Sequence, residues 1–159
     1  MPLMSDYRIE KLRRSVRVVL ENGAAMDGDV FLQTMGRFRA GPEEPADLLN
    51  DAEPFFALAL AQGGALLLAK DRVARVETDL HDADNPLDSP ALGLLIELTL
   101  ADGSACRGTV FPETRAERPR LLDFLNSYEP RFLAVYDAER VTLVNRRIVT
   151  LVREVRKES

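Results

Sequence analysis

Two stretches of this chain carry related residues in the same order. Val16-Arg-Val-Val-Leu-Glu-Asn-Gly23, continued by Gly28-Asp-Val-Phe31, is matched by Ile96-Glu-Leu-Thr-Leu-Ala-Asp-Gly103, continued by Gly108-Thr-Val-Phe111. Asp47-Leu-Leu-Asn50, with Glu53, Pro54 and Phe56, is matched by Asp123-Phe-Leu-Asn126, with Glu129, Pro130 and Phe132. Leu68-Ala-Lys-Asp-Arg-Val73 is matched by Leu143-Val-Asn-Arg-Arg-Ile148. Matches that keep their order mark an internal duplication, here two copies of one unit of roughly 60 residues. A unit that small buries too little surface to be stable by itself. The copies are therefore expected to pack on each other, related by a pseudo-twofold axis.

Each copy reads as β-structure. Val16, Val18 and Leu20 in one copy, and Ile96, Leu98 and Leu100 in the other, recur with the period of two of a half-buried strand. Asn22-Gly23 and Asp102-Gly103 follow as hairpin turns, because both residue types tolerate positive φ. Gly28 and Gly108 lie inside the returning strand, where glycine signals a bulge or a bend. A short helical turn comes next, opened by Pro45 or Pro119 and ended by Asn50 or Asn126. Three short strands complete the unit, over 55–60, 66–70 and 72–77 in the first copy and over 132–136, 141–145 and 147–155 in the second. The organisation expected is an N-terminal helix or arm over 1–15, a first repeat over 16–78, an acidic linker over 79–92 and a second repeat over 93–159.

The spacing of apolar residues around Gly23/Gly28 and Gly103/Gly108 resembles the first signature of the Sm-like family, the Lsm and Hfq superfamily. Leu68 to Val76 and Leu143 to Leu151 are similar to its second signature. The D-x-L-N-then-F pattern is also similar to small bacterial β-proteins without an assigned activity. The resemblance implies a mainly β chain of two tandem, pseudo-symmetric SH3/Sm-like barrels, each with five strands and one inserted helical turn. It further implies rings and RNA binding. The family's pocket pairs an Arg with a Gly before the last strand, whereas here Lys70-Asp71 and Asn145-Arg146 stand there.

Net charge is -5, which argues against the basic face that DNA or RNA binding needs. The one cysteine, Cys106, excludes an internal disulfide and suits a reducing compartment. With no apolar run long enough to span a bilayer, a cytoplasmic protein without membrane contact is expected.

A catalytic set cannot be assembled from the residues. His81, the only histidine, falls in the linker among Asp79, Asp82, Asp84 and Asp88, which lack the glycine and terminal glutamate of a calcium loop. Asp27 and Asp29 share a strand face, but Arg107 and Thr109 replace them in the second copy. Cys106 reads as core packing, since Met26 takes its place in the first copy. The chain is thus expected to be non-enzymatic, without cofactor or metal. Its partner would be a protein, with self-association through strand edges as one form of it. The alternative is an Sm-like RNA- or nucleotide-binding protein. Candidate ligand-binding residues are Asp47, Asn50, Asp123, Asn126, Asn145, Arg146 and Arg147. Asn50 and Asn126 also have a structural reading, as residues that end a helical turn. The last strand, from Ile148 to Val152, is apolar on both faces and calls for a cover.

Overall fold

The computed structural model describes residues 11–34, 43–80, 93–112 and 120–155. His81, the other linker aspartates from Asp82 on, and Pro119 lie outside these residues. The first half holds strands β1 (Lys11–Leu20), β2 (Ala25–Gln33), β3 (Phe55–Ala59), β4 (Ala65–Ala69) and β5 (Val73–Asp79), with helix α1 (Pro45–Asn50) between β2 and β3. The second holds β6 (Leu94–Leu100), β7 (Ala105–Val110), β8 (Phe132–Tyr136), β9 (Arg140–Asn145) and β10 (Val149–Glu154), with helix α2 (Leu121–Ser127) between β7 and β8. Residues 11–15, expected in a helix or arm, are the opening of β1. Their pairing with β2, from Lys11↔Gln33 onward, extends that hairpin beyond the repeat.

The ten antiparallel strands form one open sheet in the order β10-β6-β7-β8-β9-β5-β1-β2-β3-β4. Two tandem five-stranded barrels packed on each other were expected; the strands form a single unclosed sheet in which β5 pairs with β9, from Arg75↔Val144 to Asp79↔Arg140, and joins the halves edge to edge. Both halves pair their strands in the same order, β5-β1-β2-β3-β4 and β10-β6-β7-β8-β9. The halves follow one another head to tail. A twofold axis would pair like with like, β5 with β10 or β4 with β9, so the expected twofold relation is corrected.

Local chemistry explains the shared course. In both first hairpins the turn glycine takes positive φ, 90° at Gly23 and 86° at Gly103. The preceding side chain braces the turn: Asn22 Oδ1 accepts from the Ala24 N–H, and Asp102 Oδ1 from the Ser104 N–H, each at 2.9 Å. Pairing of β1 with β2 runs unbroken past Gly28, so no bulge sits there. The glycine is needed for close approach instead. A Cβ on Gly28 would lie 2.6 Å from the Ala59 carbonyl oxygen, and one on Gly108 2.7 Å from that of Tyr136. These are the points where β3 meets β2 and β8 meets β7, at the single pairs Asp29↔Ala59 and Thr109↔Tyr136.

The second hairpins shift the repeat by one residue from its sequence alignment. Before each 3-10 turn (Lys70–Arg72 and Arg146–Ile148), the Lys70 N–H bonds the Pro54 carbonyl and the Arg146 N–H bonds that of Arg131. Phe132 therefore occupies the place of Phe55, not of Phe56. Likewise Leu143 occupies that of Leu67, and Asn145 that of Ala69. A slip of one residue exchanges the two faces of a strand. Phe56, Leu58 and Leu68 fill the first core, and their equivalents Leu133, Val135 and Val144 fill the second. The other face of β8 and β9, with Phe132, Val141 and Leu143, is buried in the first half's core. The β8–β9 hairpin thus serves both cores.

Candidate functional site

The candidate residues divide between the internal joint and the outer surface. Asp47 caps α1: its Oδ2 accepts from the Glu44 N–H at 2.9 Å, closing a capping box. Asn50, at the end of α1, crosses to the second half. Its Oδ1 accepts from the Phe132 N–H at 2.7 Å, and its Nδ2 donates to the Phe132 carbonyl at 3.3 Å. One side-chain amide thereby holds both polar groups of a residue in β8. Asn145 is fully buried and returns the bond, donating from Nδ2 to the carbonyls of Val73 (2.9 Å) and Asp71 (3.3 Å) while its Oδ1 accepts from the Arg147 N–H. A buried amide of this kind must be satisfied, and here the Nδ2 donor is satisfied by joining the halves.

Around these two amides lies an open polar groove lined by Asn50, Asp51, Asp71, Glu129, Arg131, Arg146 and Arg147. Asp71 is shared by Arg131 at 3.6 Å and Arg147 at 3.5 Å. Arg146 donates to the carbonyls of Pro130 and Glu129 and lies over the Tyr128 ring. The structure thus gathers Asn50, Asn145, Arg146 and Arg147. It does not bring Asp123 and Asn126 to them. Asp123 is exposed, 4.0 Å from Arg120, and Asn126 is exposed with no side-chain hydrogen bond among the described residues.

Two features escaped the sequence reading. Lys70 is completely buried, its Nζ donating to Asp51 Oδ1 at 2.6 Å and to the Leu48 carbonyl at 2.7 Å. No periodicity signals this, because the lysine falls in the 3-10 turn after β4. The other is the contrast between the outer faces of the two second hairpins. Phe132 is 0% exposed and Leu143 1%, whereas Phe55 is 57% and Leu67 75% exposed. Leu66 beside them, and Leu122 and Leu151 at the other end of the sheet, are also exposed.

The remaining candidates have local roles. Asp27 pairs with Arg17 and Asp29 with Arg13, each at 3.0 Å. Burial pushes the Cys106 thiol up from its usual value, away from reactivity, and the side chain packs on the second core. Among the described residues no group of three His, Cys, Asp or Glu is placed to hold a metal ion, and no helix is long and apolar enough to cross a membrane. Compared with known proteins, the chain matches no family model, no curated protein and no solved structure.

Proposed function

We propose that the chain is a non-enzymatic interaction or scaffold module, a duplicated pair of Sm/SH3-like barrel units that self-associates head to tail through its two open sheet edges. The observation that carries this reading is the β5·β9 joint. Each sheet edge matches one side of that joint, β4 corresponding to β9 and β10 to β5. Pairing β10 of one copy with β4 of the next would continue the sheet by the join already made inside the chain. Unpaired edges favour strand addition, and exposed apolar side chains on both edges favour their burial. The test is the mass of the full chain against concentration, by light scattering and sedimentation. Growth beyond the monomer is expected, and Leu67→Glu, which sets a charge on the β4 edge, should abolish it. A wild-type chain that stays monomeric at every concentration reached would overturn the proposal.

RNA or nucleotide binding is the second reading, and the gathering of Asn50, Arg131, Arg146 and Arg147 in one groove favours it. Against it, Asp51, Asp71 and Glu129 line the same groove, and the arginines already hold Asp71 or backbone carbonyls. A polyanion would have to displace those partners. Salt-sensitive, sub-micromolar binding of an oligonucleotide, lost in Arg146→Ala, would establish this reading over the first.

A further inference from the structure

The internal joint contains a lock whose parts recur, separated, at the two ends of the molecule. Asn50 holds the N–H and carbonyl of Phe132. The equivalent of Asn50 is Asn126, three residues after Asp123 in α2 as Asn50 is three after Asp47 in α1. The equivalent of Phe132 is Phe55, by its pairing with Ala69 where Phe132 pairs with Asn145. Asn126 is exposed and makes no side-chain hydrogen bond among the described residues.

We infer that the partner at each open edge is a second copy of this chain, and that Asn126 of one copy closes on the backbone N–H and carbonyl of Phe55 in the next. This inference rests on the head-to-tail reading and adds its register and its polar contact. The surroundings agree. Ala46 in α1 packs on the first core, beside Tyr136, Val141 and Leu143. Its equivalent in α2 is Leu122, 62% exposed, and the equivalent of Leu143 is Leu67. Large apolar groups thus stand on both sides of the contact that Asn126 would complete, and the sheet continues across it without a break.

The outer joint is less polar than the inner one. Where the inner joint has Asn145, the outer has Ala69. Where Arg131 meets Asp71, the outer sets Pro54 against Arg147, and where Arg140 meets Asp79 it sets Gly64 against Val155. Asn126 would add a polar contact to the apolar pattern that sets the register, since a slip of one residue would turn the leucines out of the contact.

The experiment uses the full chain with Asn126→Ala beside Leu67→Glu. Asn126→Ala should melt like wild type when dilute, because the side chain has no partner among the described residues of its own copy, and should weaken association about tenfold or more, as loss of two hydrogen bonds predicts. Association lost in Leu67→Glu but unchanged in Asn126→Ala overturns the lock while the edge reading stands. A wild-type chain that never associates overturns both. A second measurement locates the contact. In a Cys106→Ser background, Asn126→Cys protein mixed with Phe55→Cys protein should be joined by a short thiol crosslinker into a covalent dimer. Failure of the pair to crosslink at concentrations where the two cysteine variants themselves still associate overturns the register.

Discussion

The β3–β4 and β8–β9 hairpins are built alike and live differently. Both are antiparallel pairs of short apolar strands that lead into a 3-10 turn, and both put one face into their own half's core. The second hairpin also has its outer face covered, by the first half; the first hairpin has the same face open. The difference lies not in the residues but in what stands next to them, because Phe132 and Phe55 are the same residue at the same place. Burial here is a property of the joint, and a joint needs two edges.

The strongest way to break the comparison is to truncate both phenylalanines. Phe132→Ala opens a cavity where two halves meet and should cost about 3–5 kcal/mol in denaturant unfolding. Phe55→Ala, on an exposed face, should change the stability of the dilute chain by less than about 0.5 kcal/mol. Equal losses would mean that Phe55 is already covered within the monomer, and the contrast between the hairpins would be gone.

An exchange at the next equivalent pair sharpens it. Asn145→Ala leaves the Val73 and Asp71 carbonyls without their side-chain donor and should cost about 1–3 kcal/mol of stability. The reverse change, Ala69→Asn, adds to the open edge the amide that the inner joint has. It should leave stability near wild type and tighten association several-fold in sedimentation. If Ala69→Asn loosens association, β4 does not meet its partner as β9 meets β5.

The smallest effect separates the first hairpins, through acid. The Ser104 hydroxyl and N–H both bond Asp102 and hold its carboxyl below the usual 3.8, whereas Asn22 in the matching turn does not titrate. The sign follows from the lowered value. The charged form favours the folded turn, so its contribution is complete above the unfolded value and is lost as pH falls through the folded one. In an NMR titration the Ser104 amide should follow a midpoint below 3.8, and the Ala24 amide should not respond. A Ser104 midpoint at or above 3.8 would erase this difference.

How much of this was legible can be traced to particular residues. The alternation of Val16, Val18 and Leu20, the Asn-Gly and Asp-Gly turns and the paired inner glycines located the first hairpin of each half, because each is a local signal with a local cause. The one-residue register of the second hairpins was not legible. β3 reads Phe-Phe-Ala-Leu-Ala and β8 reads Phe-Leu-Ala-Val-Tyr, apolar on both faces, so no alternation says which face turns inward. The cover anticipated over the last strand is needed elsewhere as well: β10 is an open edge with Leu151 exposed, and the covered face belongs to β8 and β9. Asn50 and Asn145 drew attention as candidate ligand-binding residues, and the structure shows both hydrogen-bonded across the joint between the halves. Their contacts lie 82 and 72 to 74 residues away in sequence, beyond the reach of spacing.

A chain that carries its first joint covalently also fixes a parity. Head-to-tail contacts close into a ring when their rotation allows and otherwise run on as a fibre. A single-unit subunit could close a ring of any count its rotation permits. On the proposed association this chain would contribute units two at a time, so every closed ring would hold an even number, and the joints would alternate between one tethered by sequence and one open to dilution. Diluting such an assembly would split every second joint and no other, so the smallest product is always a whole chain.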